Sequence, residues 1–149
     1  MFPRVLGIDL GLKRTGLAIS DESGLCVRPL GTRPPAKSQA AEVDLILSQC
    51  TELGIGAIVI GHPSKSESGS ENPIAKRAKG LKMALESKIA SLAYPILVHL
   101  EDESYTSKHA MERLIDSGVK KEKRKELLDS EVARILVERF IASASWQMR

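Results

Sequence analysis

An aspartate that ends an apolar run, with a glycine two residues later, sets the first constraint on this chain. Arg4-Val5-Leu6-Gly7-Ile8-Asp9-Leu10-Gly11 reads as a strand and turn, and after Leu12-Lys13-Arg14-Thr15-Gly16 the run Leu17-Ala18-Ile19-Ser20 reads as a second strand. A carboxylate at the end of a buried strand is costly unless something cationic pairs with it. Gly11 and Gly16 allow close approaches that a side chain would block. Two readings fit this stretch: an Asp-x-Gly turn that caps a hairpin, and the anchor of a site for a cation, a phosphate or both.

The order of the remaining elements fixes the fold class. Asp21-Glu22-Ser23-Gly24 is a short polar turn, so the third strand, Leu25 to Leu30, pairs antiparallel with the second. Pro29 puts that strand at an edge or exit, and Gly31-Thr32-Arg33-Pro34-Pro35 is a connector no helix can cross. A helix is expected from Ser38 to Leu53, with Ala41, Leu45, Ile46 and Gln49 at helical spacing and Gly54 as its stop. Ala57-Ile58-Val59-Ile60-Gly61 is wholly apolar, the pattern of a parallel strand covered on both faces. The polar, serine-rich stretch His62 to Pro73 is a loop at a strand's carboxyl end, where function collects in open α/β sheets. A helix over 74–91, a strand over 94–100, and helices over 107–116 and 122–142 complete the order. Hairpin strands before alternating helices and strands imply an α/β protein with a five-stranded mixed sheet and helices on both faces. Its 149 residues form one domain, residues 1–142, and a tail, residues 143–149, with no repeat or linker.

Composition excludes several classes. Aromatic residues make up 3% of the chain, too few for a base-stacking sheet. Cys26 and Cys50 have neither zinc-site nor disulfide-framework spacing, and a reducing, cytoplasmic compartment is expected. Asp9 interrupts the only N-terminal apolar run, so no signal peptide is read there, and no segment approaches the roughly 20 apolar residues of a membrane span. The net charge of +3 is compatible with a polyanionic partner without requiring one.

Two further acidic signals stand far from Asp9. Glu101-Asp102-Glu103 comes directly after the last strand; a solvated strand exit explains it by itself. Asp129 lies inside the last helix on a stripe with Lys125, Ala133, Leu136 and Phe140. An ion pair with Lys125 or Arg134 would account for it, and so would a metal. Taken together, two acids at strand ends and one on the inner side of a final helix suit a hard divalent cation. Such ions take few oxygen ligands from the protein and complete their shell with phosphate and water. A pair of them roughly 3.5–4 Å apart can drive phosphodiester hydrolysis.

The ordered motifs resemble those of the YqgF/RuvX family, bacterial proteins with a ribonuclease H-like, RuvC-related fold. The resemblance covers residues 4 to 142. Val5 to Gly11 with Arg14-Thr15-Gly16-Leu17-Ala18 is similar to the family's opening motif. Ile58 to Pro63 is similar to its strand and glycine-x-proline loop, and Asp102-Glu103 with Thr106 and Ala110 to its Asp-Glu-Arg motif. Leu128-Asp129-Ser130 with Ala133, Ile135, Leu136 and Phe140 is similar to its last-helix motif. The resemblance implies a ribonuclease H-like three-layer fold and a nuclease that processes the 5′ end of precursor 16S rRNA. Resolution of Holliday junctions is the alternative, and a nucleic-acid-binding module without catalysis a further one. It implies one or two Mg²⁺ or Mn²⁺ ions on Asp9, Glu103 and Asp129, with Asp102 the alternative to Glu103 because neighbouring strand residues point opposite ways. Ser104 stands where the family has arginine, which removes a phosphate contact. His62 and Ser64 open the loop that would close over substrate, and His62 is a candidate proton donor.

Basic residues mark the candidate nucleic-acid surface. Lys120-Lys121-Glu122-Lys123-Arg124-Lys125 opens the last helix, against the preference of a helix N-terminus for anions, an arrangement that makes sense around a bound phosphate. Lys121, Lys123, Arg124 and Lys125, together with Gly11, Lys13 and Arg14 beside Asp9, are the expected contacts; Lys76, Arg77 and Lys79 are a second group. The expected partner is precursor rRNA or branched DNA, with no membrane, and the chain acts as a monomer or weak homodimer. An actin-like or sugar-kinase ATPase shares the Asp-x-Gly signal but needs two similar domains, and this chain supplies one.

Overall fold

The structure, a computed structural model, describes residues 4–63 and 72–143. Five strands, β1 (Arg4–Leu10), β2 (Thr15–Ser20), β3 (Val27–Arg33), β4 (Ile55–His62) and β5 (Leu97–Asp102), form one sheet in the order β3-β2-β1-β4-β5. The first three are antiparallel neighbours, whereas β4 lies parallel to both β1 and β5. The helices are α1 (Gln39–Leu53), α2 (Pro73–Ile89), α3 (Thr106–Asp116) and α4 (Lys121–Ala142). None among the described residues is long and apolar enough to cross a membrane.

Strand parity divides the interior into two layers. Leu6, Ile8 and Leu10 of β1, with Leu17, Ile19, Ile58 and Ile60, face α1 and α2. Val5, Ala18, Ala57 and Val59 face α3 and α4, where Leu136 and Val137 are wholly buried. By the same alternation Gly7 and Asp9 point to the α4 side. Gly7 is small for a reason, since a Cβ there would overlap Val137 and the Ala133 carbonyl. α4 crosses the sheet obliquely, from Gly16 on β2, which touches Asp129, to His99 on β5, whose ring lies 5.1 Å from that of Phe140.

The helix boundaries obey local chemistry. Ser38 caps α1 by accepting from the Ala41 N–H, and Gly54 ends it in the left-handed conformation at φ 68°. Asn72 caps α2 with Pro73 as its first residue. α3 and α4 are riveted by charge: Arg113 of α3 grips Glu138 of α4 at 2.6 and 3.0 Å and reaches Glu131 of α4 at 3.6 Å.

Three expectations from sequence are corrected. The third strand is Val27–Arg33 and not 25–30, because the sheet ladder carries it through the supposed connector with a bulge near Leu30. As the edge strand it tolerates Pro29. On α1 the buried positions are Glu42, Val43, Ile46 and Cys50, one residue on from the expected stripe, and Leu45 is exposed. Burial of Glu42 is made possible by Arg33, which donates to both its oxygens at 2.8 and 3.0 Å. The last strand starts at Leu97, and it is the sheet's other edge, so Glu101 and Asp102 leave an edge strand and not a buried one.

Candidate active site

Across the tops of β2, β1 and β4 runs a row of three residues on the α4 side: Gly16, Asp9 and Gly61. Asp9 pairs directly with Gly16, and Gly61 is one step beyond the Ile8–Ile60 pair. A Cβ on Gly16 would run into the backbone of Asp129, and one on Gly61 would meet the Glu103 carboxylate and Leu136. The two glycines therefore make room for the other two acids on either side of Asp9. The backbone of α4 sits down on Gly16, bringing Asp129 in from one side, and the carboxylate of Glu103 folds over Gly61 from the other.

Glu103 is held there at both of its backbone groups. Its N–H donates to the His62 carbonyl and its carbonyl accepts from the Thr106 N–H, each at 3.0 Å. Tyr105 completes the turn at φ 61°, the one non-glycine residue in the left-handed region among those described. Parity decides between the adjacent acids. Val98 and Leu100 face α1 and α2, and His99 faces Phe140, so Glu101 and Glu103 share the α4 side with Asp9. Asp102 points away, is exposed, and accepts from the Ser104 hydroxyl at 2.7 Å and N–H at 2.9 Å, which holds its carboxyl below the usual carboxylate range. Ser104 is thus spent on Asp102.

The electrostatics are those of buried acids crowded together. Asp9 is 9% exposed, and its carboxyl is pushed up to about 9, first by burial, then by Glu103 and Asp129. Glu103 is also raised, chiefly by burial. One of its oxygens, Oε2, is buried with no hydrogen-bond partner among the described residues, which is expensive for an acceptor. All-oxygen donors and an orphaned buried carboxylate atom are what a hard divalent cation would satisfy, so Asp9 and Glu103 fit such an ion. The third acid is not yet in line with them. Asp129 Oδ2 lies 3.5 Å from Nε of Arg14, and among the described residues no three His, Cys, Asp or Glu side chains stand close enough together to enclose an ion as they lie. The partner of Asp129 is therefore neither Lys125 nor Arg134, the two neighbours along the helix, but a residue from the β1–β2 turn. Arg134 is taken by Glu131 and Glu138.

The remaining candidates divide. Lys13 is exposed beside the site, and Lys121, Lys123 and Lys125 are exposed on the first turns of α4, which extend beyond its buried half. Arg124 instead donates its Nε to the Val119 carbonyl at 3.0 Å and closes the turn before α4. At Gly11 a Cβ would collide with the Arg14 carbonyl, and the Gly11 carbonyl accepts from Arg77 Nη1 at 3.0 Å. His62 ends β4 close enough to Asp102 and Glu103 to act on both carboxyls electrostatically. Ser64 lies outside the described residues. Two contributors escape sequence reasoning. Gly61 reads only as a strand boundary, although a glycine inside a strand signals close approach. Arg77, a member of the second basic group, ties α2 to the turn just after Asp9.

Residues 3–143 match the family described as RuvX: Holliday junction resolvase. A protein of Chlorobium phaeobacteroides (strain BS1) named "Putative pre-16S rRNA nuclease" is 38% identical over 141 residues, 93% of this chain and 91% of its own length. One of the same name from Bacillus subtilis (strain 168) is 33% identical over 144 residues, 94% of this chain and 98% of its own. Among solved structures, T. thermophilus RuvC in complex with Holliday junction substrate superimposes with a TM-score of 0.60 at 15% identity, covering 94% of each chain. That likeness establishes the ribonuclease H-like fold.

Proposed function

We propose, from the premise that this chain belongs to the RuvX family, that it is a divalent-cation-dependent nuclease that hydrolyses phosphodiester bonds in the 5′ region of precursor 16S rRNA. The observation that carries the reading is buried Asp9 and half-buried Glu103, two carboxyls crowded against each other, with one Glu103 oxygen shut off from solvent and Asp129 at their flank. Asp9, Glu103 and Asp129 would hold one or two Mg²⁺ or Mn²⁺ ions. A bound ion supplies Lewis acidity, making water a better nucleophile and neutralising charge that builds on the phosphate. The chain's own residues do the rest. The glycine row makes room for the other two acids beside Asp9, Glu103 is braced by the backbones of His62 and Thr106, and the lysines of α4 would supply the charge for binding. His62 is placed to exchange a proton beside Glu103. Both cysteines are free, as suits a cytoplasmic protein.

The rRNA reading is preferred to junction resolution because relatives above 30% identity carry the former name, whereas the likeness to RuvC is one of fold. Cutting a junction on two strands would need two copies of this chain, each bringing its own site. Purified protein incubated with labelled precursor rRNA and with four-way DNA junctions, with and without Mg²⁺ or Mn²⁺, separates the two. Cation-dependent cleavage of the RNA alone supports the proposal, and cleavage of the junction alone replaces it with resolution.

Charge reversal of Lys121, Lys123 and Lys125 to glutamate should weaken RNA binding by more than tenfold at low salt and flatten the plot of log affinity against log salt by about three phosphate contacts. The melting temperature should change little, because these side chains are exposed. An unaltered salt slope would remove the α4 lysines from the binding surface.

A further inference from the structure

We infer that Arg14 is a resident counter-ion of the acid site: it holds Asp129 while no divalent cation is bound, releases it when one binds, and then takes a phosphate of the nucleic acid. The inference rests on the reading of the three acids as a cation site. Arg14 stands in the β1–β2 turn, one residue before β2, and its carbonyl is packed against Gly11, so the base of the side chain is fixed. The guanidinium comes within 3.5 Å of Asp129 at Nε, with 37% of the side chain exposed.

Other arginines of the same molecule show what a structural pair looks like here. Arg33 grips buried Glu42 through two bonds of 2.8 and 3.0 Å, and Arg113 grips Glu138 through two of 2.6 and 3.0 Å. Beside these the Arg14 contact is long and partly solvated, and such a pair is weak and readily exchanged. It is also the contact that occupies the one acid missing from the cation site: Asp9 and Glu103 already face each other, while Asp129 is engaged elsewhere. A cation that draws Asp129 in must displace the guanidinium. The freed guanidinium remains anchored at the mouth of the site, where five N–H donors match a phosphate. Cation and phosphate binding are then coupled through one side chain, and each strengthens the other.

Electron paramagnetic resonance of free Mn²⁺ tests this without catalysis. The wild type, Arg14→Gln and Arg14→Lys are titrated alone and with a phosphorothioate RNA hairpin that resists cleavage. Without RNA, Arg14→Gln should bind Mn²⁺ about twofold to fivefold more tightly than the wild type, the range expected from losing a weak competing ion pair. Arg14→Lys, which keeps the charge, should stay near the wild type. The tightening of Mn²⁺ that the hairpin produces in the wild type should shrink severalfold in Arg14→Gln. Unchanged or weaker Mn²⁺ binding by Arg14→Gln, at an unchanged melting temperature, overturns the role of Arg14. Asp9→Asn and Glu103→Gln in the same titration separate the two ideas. If they too leave Mn²⁺ affinity unchanged, the acids are not a cation site and both readings fall; if they abolish binding while Arg14→Gln does nothing, only the Arg14 role is lost.

Discussion

Asp9→Asn is expected to lower cation-dependent cleavage by about 10³-fold or more, and at the same time to raise the melting temperature of the cation-free protein. The first effect comes from removing a ligand that acts as a unit with Glu103 and Asp129. The second comes from the state of the site. Burial, Glu103 and Asp129 push the Asp9 carboxyl from 3.8 up to about 9. Between those two values the folded chain binds a proton that the unfolded chain does not, so stability falls as pH rises through that window. Asparagine removes the penalty. At ~1.4 kcal/mol per unit, discounted for coupling to Glu103, the gain near pH 7 is about 2 kcal/mol, or roughly 5 °C for a chain of this size. Thermal melts in a chelator between pH 5 and 9 should show a wild-type slope that the variant lacks. Added Mn²⁺ should raise the wild-type melting temperature and leave the variant's nearly unmoved. A variant that melts below the wild type with the same pH slope would mean that Asp9 is stabilised by something other than a cation.

Gly16→Ala should damage both fold and activity, and Gly61→Ala mainly activity. A methyl at position 16 overlaps the carbonyl and backbone of Asp129, which belong to a helix packed against the sheet and cannot swing aside. Overpacking of this kind costs about 2–3 kcal/mol, a loss of roughly 4–12 °C. Displacing Asp129 by about 1 Å should cost about 10² in cleavage rate. At position 61 the obstacles are the Glu103 carboxylate and a Leu136 methyl, both ends of side chains that can turn. The stability cost there should stay near ~1 kcal/mol, while the displaced carboxylate lowers cleavage by a similar factor. Melting curves and single-turnover rates for the two variants check the contrast. Equal loss of stability in both would show that the row is a packing seam and not a clearance for the acids.

The sheet is legible in the sequence where local signals are strong. The Asp21 to Gly24 turn, the apolar run Ala57 to Gly61 and the Gly54 stop each occur where the letters put them. Asp9 and Glu103 do meet, with Asp129 beside them but engaged by Arg14, and parity, invisible until α4 is placed, separates Glu103 from Asp102. What the sequence hides depends on contacts between distant segments. A helical stripe names Lys125 and Arg134 as neighbours of Asp129, yet its partner is Arg14, 115 positions away, brought there by the Gly16 contact. Burial of Glu42 is illegible because its compensation, Arg33, lies in what reads as a connector. Arg124 reads as one more cation of a basic run, and only the turn before α4 shows its guanidinium committed to Val119.

The bare glycines on either side of Asp9 also bear on how an inactive descendant of such a chain would be recognised. A copy freed from the need to cut nucleic acid could keep Glu103 and Asp129, which are partly solvated, whereas buried Asp9 would go on costing it stability. Gly16 stays bare for packing reasons in any case, because the backbone of α4 lies on it, but Gly61 has no such reason to stay empty. Gly61 in particular costs conformational entropy in a strand, and alanine there would firm the sheet once Glu103 no longer had to lie over it. A side chain at 61 beside three intact acids would therefore mark a scaffold that has stopped cutting, and an inventory of carboxylates alone would misread it as an enzyme.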